Sequence, residues 1–301
     1  MHAFAGPTRL GFGVSGPHAT RLVAPDKTVD LISRAATAGV RLFDIAPFYG
    51  DGEAERRLGL ALSKLDRDTV FVCSKVGTIW RGWGRAAKNF EPEFVRRSFF
   101  QSLKRLGLER LDAFLLHGPA PEALTPALLE TLTGLKAAGW VDYLGVCVRG
   151  RELEPALDAQ AFDMVMAPVR ADITAQGSKL VDLLIRARAD GVAVIGIEAL
   201  APAGRRPLHM DGPGLWRMAK TMKSRGASAP SAMTPTQALQ GAFETGLADA
   251  IMMTTTRSAH LDANIALAKA LNAADTTASE AALADPKPGR ETAAIGRGRT
   301  A

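Results

Sequence analysis

A single-domain (β/α)8 barrel, with eight parallel strands each followed by a helix, is the fold class this sequence predicts. Three observations carry that prediction. About eight short apolar runs alternate with stretches of helical spacing along the 301 residues. Nearly all of these runs are apolar throughout, as strands covered on both faces are. The first strand leads through Leu10-Gly11-Phe12-Gly13-Val14-Ser15-Gly16, which lacks the Gly-x-Gly-x-x-Gly that opens a helix in a doubly wound open sheet. Eight strands in β/α alternation favour closure into a barrel.

The elements follow in order. Leu10 to Ser15 reads as the first strand. Asp26 is positioned to cap a helix through about Ala38, because Val29, Ile32, Ala35 and Ala36 recur at helical spacing. Gly39 ends that helix, and Val40 to Asp44 is the second strand. A helix over Glu53–Leu62 leads to a strand ending at Lys75. After a Gly- and Trp-rich loop, Pro92–Leu106 is helical and Leu111–His117 is the fourth strand. The helix Pro126–Ala138 passes through Gly139 into the strand Val141–Val148. A short helix near Glu152–Ala159 and the strand Phe162–Met166 follow, then the helix Ser178–Ala189 and the strand Val192–Ile197. A Pro/Gly-rich excursion over 202–214 interrupts the rhythm. Helices near Leu215–Lys223 and Pro235–Thr245, the strand Ala250–Met253 and the helix Ala259–Asn272 complete the count. The barrel is therefore expected over 1–272. From Ala273 the chain is Ala-, Thr-, Asp- and Gly-rich, with Leu283 and Ile295 its only large aliphatic residues, so 273–301 is expected to be a disordered tail.

Composition narrows the class. At 47% hydrophobic and 23% charged, the chain can bury one large core. A basic segment followed by an apolar stretch is absent at the N-terminus, and no run would span a bilayer, so a cytoplasmic protein is expected. Cys73 and Cys147 lie far apart in strand-like runs and read as buried free thiols. The net charge of +6 is dispersed rather than gathered with aromatics, which argues against a nucleic-acid partner. Oligomeric state is not readable from the sequence.

Four titratable residues close the early apolar runs or follow them. Asp44 ends the second strand and Tyr49 stands in the turn after it, while Lys75 and His117 end the next two. Taken singly, each has a plain structural explanation: a cap, a packing residue, a solvated strand end, a turn histidine. Four of them on successive strand ends point to a site at one rim of the barrel. The chemistry is coherent as well. A lysine beside a tyrosine lowers the phenol's pKa, and an aspartate keeps the lysine charged and oriented. A neighbouring histidine can orient a substrate oxygen. Such a set can protonate a carbonyl or deprotonate an alcohol as hydride moves to or from carbon. Phe48, beside the tyrosine, and Trp80, in a loop that also carries Arg81, Trp83, Arg85 and Lys88, are candidates for substrate contact.

The tetrad, with Phe43-Asp44-Ile45-Ala46-Pro47-Phe48-Tyr49-Gly50 and Glu55-Arg56-Arg57-Leu58-Gly59, resembles the aldo-keto reductases over roughly residues 8–272. That resemblance implies a nicotinamide cofactor, NADP or NAD, lying across the carboxyl-end rim, and a small-molecule carbonyl or alcohol substrate. By the same resemblance, Tyr49 is the general acid/base, Lys75 lowers its pKa, Asp44 orients Lys75 and His117 positions the carbonyl oxygen. The segment from Thr254 to Asn264 resembles the family's cofactor loop. Thr254, Thr255, Thr256, Arg257, His260 and Asn264 occupy its positions, and Asp44 borders the cofactor too. No metal is implied. Two departures stand out. No Ser, Asn or Gln occurs in Gly145-Val146-Cys147-Val148-Arg149 or Met164-Val165-Met166-Ala167, where relatives hold the nicotinamide carboxamide. Thr254 also stands where NADP-selective relatives place a lysine. The nearest branch is that of aldose 1-dehydrogenases and pyridoxal dehydrogenases. The alternative is a barrel that keeps the tetrad but acts as a binding or regulatory subunit. The altered carboxamide positions motivate it, and the intact tetrad opposes it.

Overall fold

A computed structural model describes residues 6, 8–82, 86–150, 152–173, 178–203 and 233–284. The chain begins with β1 (Leu10–Gly13), α1 (Pro25–Thr37), β2 (Leu42–Asp44), α2 (Glu53–Leu62) and β3 (Phe71–Val76). A hairpin of β4 (Thr78–Trp80) and β5 (Ala86–Lys88) precedes α3 (Pro92–Leu106), β6 (Leu111–His117), α4 (Pro126–Ala137) and β7 (Val141–Cys147). Then come α5 (Leu153–Asp158), β8 (Met164–Pro168), α6 (Lys179–Ala189) and β9 (Ala193–Ile197). The last described elements are α7 (Pro235–Glu244), β10 (Ala250–Met253) and α8 (Ser258–Ala284). The eight strands other than the hairpin form a closed barrel in the order β1-β10-β9-β8-β7-β6-β3-β2, all pairs parallel.

Strand alternation sorts the buried side chains into two sets. Leu42, Phe71, Cys73, Ala113, Leu115, Cys147, Met164, Met166, Ile195 and Met252 pack together inside the barrel. Their neighbours Phe43, Val72, Phe114, Val146, Val165 and Val194 point outward, into the larger core shared with the helices. Both cysteines are free and buried. Helix α2 lies close on α3 because Gly59 has no side chain: a Cβ there would stand 2.8 Å from the carbonyl oxygens of Arg105 and Leu106.

The amino-terminal end of the barrel is held by aspartates. Asp112, Asp163 and Asp249 accept the backbone N–H groups of Val72, Leu144 and Val194 at 2.6, 2.8 and 2.8 Å. Each also pairs with a cation, respectively Arg67, Lys136 and Arg188. These links fix strand register at the end away from the rim where the tetrad gathers, which is the division of labour expected in this fold.

Several expectations differ from the structure in detail. The α1 cap is Ala24, with Pro25 opening the helix, so Asp26 is not the cap but an acid in the first turn. Helix α8 runs past Asn272 to Ala284, so the boundary placed at Ala273 falls within a helix. The β4–β5 hairpin stands where a loop was expected. The segment Leu215–Lys223 and residues 204–214 and 285–301 lie outside the described residues. Among the described residues, no helix is long and apolar enough to cross a membrane.

Candidate active site

Alternation also explains why the tetrad converges. Inward residues occur at every second position, so Leu42 leads to Asp44, Cys73 to Lys75 and Leu115 to His117. Register then sets them side by side, Asp44 opposite Cys73, Lys75 opposite Leu115 and His117 opposite Cys147. Lys75 Nζ donates to the Asp44 carboxylate and, at 3.0 Å, to the carbonyl oxygen of Ile45. Its ammonium lies 5.4 Å from the centroid of the Tyr49 ring. The Tyr49 and His117 rings meet edge to face at 6.0 Å, and Phe48 sits 6.1 Å from each of them.

Burial dominates the electrostatics. It would pull the Lys75 ammonium down, but the Asp44 carboxylate together with Tyr49, Cys73 and Cys147 outweighs it and holds Lys75 above its usual range. Burial pushes the Asp44 carboxyl up, and Lys75 pulls it part of the way back. For Tyr49 the expected lowering by Lys75 is present but outweighed. Burial raises the phenol to about 12, and the nearby Lys75 offsets only part of the rise. His117 is driven well below its ordinary value by burial, and then by Lys75, Lys88 and Arg149. At neutral pH the site therefore holds a protonated phenol and a neutral imidazole beside a charged lysine–aspartate pair.

A second group of residues gathers where β10 meets α8. Thr254 Oγ1 donates to the Gly13 carbonyl at 2.9 Å and lies 3.3 Å from Ser15 Oγ, which ties the loop to the end of β1. Thr255 Oγ1 accepts the Arg257 N–H at 3.2 Å and helps turn the chain into the helix. Thr256 is half-buried between them, and His260 is exposed on the first turn. Asn264 turns its amide back onto the Met253 sulfur at 3.7 Å. The first turn of α8 follows directly on the loop from β10, so the positive end of its helix dipole lies at that loop.

His18, not among the residues expected at the site, braces this loop. Its Nε2 donates to the Thr255 carbonyl at 2.8 Å, so Nδ1 is left to accept from the Thr28 hydroxyl at 3.1 Å. Arg57 fixes the segment carrying His18, donating to the Thr20 and Val23 carbonyls at 3.1 and 2.7 Å. Burial and then the Arg57 and Lys27 charges, against the hydrogen bond to Thr255, lower His18 to about 4. The unfolded chain would therefore bind a proton below about pH 6.5 that the folded chain refuses until about pH 4. Stability is expected to fall by roughly 3 kcal/mol across that window from this residue alone. Urea melts at pH 7 and pH 4.5 check it: His18→Gln should lose distinctly less stability on acidification than the wild type, and an equal loss would refute the assignment.

Phe48 and Trp80 share the wall of a cavity of about 140 Å³ floored by Ser98, Gln101 and Arg105. Tyr49, Lys75 and His117 are not part of its lining. The hairpin carries Trp80 outward and folds Lys88 back, so that Lys88 Nζ donates to the carbonyl oxygen of His117 at 2.6 Å. At the end of β7, Arg149 Nε donates to Glu198 at 2.6 Å.

This barrel and its rim can be set against known proteins. The aldo/keto reductase family model matches residues 9–284, and the chain belongs to that family. It is 32% identical to the NADH-specific methylglyoxal reductase of Escherichia coli (strain K12) over 153 residues, 46% of this chain and 47% of that protein. It is 27% identical to the D-threo-aldose 1-dehydrogenase of Pseudomonas sp over 197 residues, 54% of this chain and 60% of that one. The matched part thus spans less than two thirds of either relative. An aldo-keto reductase from Klebsiella pneumoniae in complex with NADPH shares the fold with a TM-score of 0.62 at 22% identity, over 94% of this chain and 93% of that one.

Proposed function

We propose that this chain is a nicotinamide-dependent oxidoreductase interconverting a carbonyl and an alcohol on a small molecule or sugar, with Tyr49 as its acid and base. The supporting observation is the packing of a protonated phenol, a charged Lys75–Asp44 pair and a neutral imidazole around one point of the carboxyl rim. In the reducing direction the Tyr49 hydroxyl donates its proton to the carbonyl oxygen as that oxygen gains charge. Lys75 stabilises the phenolate left behind, and Asp44 keeps the lysine in place. The neutral His117 offers an N–H to the same oxygen and orients it. A nicotinamide bound at this rim would supply the hydride. Oxidation of an alcohol runs the same protonation in reverse.

The loop from Thr254 to Arg257 and the first turn of α8, with His260 and Asn264, would hold the cofactor's phosphates. Backbone N–H groups and the helix dipole suit an anion there. Two tethers, through Gly13 and His18, keep that loop set in advance. The two cofactor forms named among the similar proteins, NADH and NADPH, are both compatible with this loop. NAD and NADP are expected to differ by less than about a hundredfold in affinity, ~2.7 kcal/mol. Arg257 immediately precedes the helix and would supply the charge that a 2′-phosphate needs. Arg257→Ala should weaken NADPH about tenfold and leave NADH nearly unchanged, measured by fluorescence quenching. Equal loss for both would place Arg257 outside the phosphate site, and no binding of either nucleotide would refute the oxidoreductase reading.

A further inference from the structure

We propose that Lys88 and Arg149 form an anion-receiving edge beside the tetrad, so that the preferred substrate is a carbonyl compound bearing a carboxylate or phosphate group. This rests on the oxidoreductase reading and names its substrate class.

Lys88 is the return residue of the hairpin, paired with Thr78. Its Nζ donates to Thr78 Oγ1 at 2.7 Å and to the His117 carbonyl at 2.6 Å. An ammonium carries three N–H groups, and among the described residues the third has no acceptor. The same nitrogen lies 2.9 Å from where a Cβ on Gly118 would stand, hard against the backbone that follows His117. Its side chain is exposed, and partial burial lowers its pKa.

Arg149 approaches from the neighbouring strand. Cys147 is the register partner of His117, and Arg149 lies two residues further on. Its Nε is held by Glu198, leaving both terminal amino groups without a partner among the described residues. Glu198 itself stands just beyond β9 with φ 61, a left-handed conformation costly for a side chain of its kind. That conformation is kept where the carboxylate fixes the pivot of the guanidinium and leaves its fork open. After burial and Lys75, both cations lower the His117 imidazole, so both lie near the residue that would orient the reacting oxygen. Glu152 also acts on Lys88, but less than Arg149 does. An unused ammonium N–H and an open guanidinium fork on one side of a neutral histidine make a receptor for a carboxylate or phosphate.

The test compares kcat/KM of the full chain, with its nicotinamide cofactor, for 4-carboxybenzaldehyde, 4-formylphenyl phosphate and the neutral methyl 4-formylbenzoate. One of the two acids should exceed the ester at least about tenfold, and which one does so identifies the anion. Lys88→Gln and Arg149→Gln should each cut that ratio by about tenfold, the worth of a charge-assisted hydrogen bond. Calorimetric titration with benzoate, phenyl phosphate and benzamide gives a readout independent of turnover. The anions should bind more tightly than benzamide, and Lys88→Gln should remove the difference. Reduction of the ester as fast as both acids would overturn the anion edge and leave the oxidoreductase reading standing. Reduction of none of the three would overturn the oxidoreductase reading. The calorimetry would then decide the edge alone, and equal affinity for benzamide and both anions would overturn it.

Discussion

Replacing Tyr49 by Phe is expected to cost at least a hundredfold in turnover while nucleotide affinity changes little, since positioned proton transfer contributes ~10²–10⁴-fold. Phe keeps the ring that packs edge to face on His117 and Phe48 at 6.0 and 6.1 Å, so the rim should retain its shape. What is lost is the hydroxyl beside Lys75. Lys75→Met is a poorer test, because it strands Asp44, a buried carboxylate, without its partner. The phenol's elevation to about 12 adds a directional pH signature. Carbonyl reduction needs the protonated phenol and should stay flat from about pH 6 to 9. Alcohol oxidation needs the phenolate, whose population grows tenfold for each unit of pH in that range, so its rate should climb with pH. A Tyr49→Phe protein with wild-type turnover would dismiss the tetrad mechanism, and a flat oxidation profile would dismiss the raised phenol.

The barrel was legible because buried parallel strands leave an unmistakable pattern. The runs ending at Asp44 and His117 were placed correctly by apolar continuity alone, the run expected to end at Lys75 continues one residue to Val76, and α2, α3, β6 and β10 match their expected bounds. The hairpin was not legible. Thr78-Ile79-Trp80 favours a strand by residue type but is only three residues long and half exposed, and Ala86-Ala87-Lys88 carries no strand preference, so the pair does not stand out from a loop. The position of Lys88 over His117 was hidden with it. His18 was invisible for a different reason. A lone histidine between Pro17 and Ala19 carries no periodic signal, and its partners Thr28 and Thr255 are distant in sequence.

The sign of the Tyr49 shift shows a further limit. Sequence reading supplies the neighbour, Lys75, but not how completely the pair is shut away from water. Desolvation decides the outcome here. Exclusion of water belongs to the closed barrel as a whole and has no counterpart in the spacing of residues.

Glu55→Ala is expected to be the most destabilising of these substitutions, and the reason lies directly behind Lys75. Ser74 points outward from β3, opposite in sense to Lys75, and its hydroxyl donates to Glu55 at 3.0 Å. Arg105 of α3 donates to the other carboxylate oxygen at 2.5 Å, so one fully buried acid joins β3, α2 and α3. Removing it would leave a largely buried guanidinium and a buried hydroxyl with no acceptor. Breaking a buried pair from one side costs about 3–5 kcal/mol, against a total of ~5–15 kcal/mol for a folded domain. Glu55→Gln keeps an oxygen for Ser74 and should cost about half as much, because only the charge is lost. Arg110→Ala breaks a pair in which both side chains are well exposed, and it should leave the melting temperature nearly unchanged. Thermal melts of the three variants would read the order directly. A Glu55→Ala protein that melts with Arg110→Ala would mean that the acid behind the rim does not hold β3, and with it Lys75, in place.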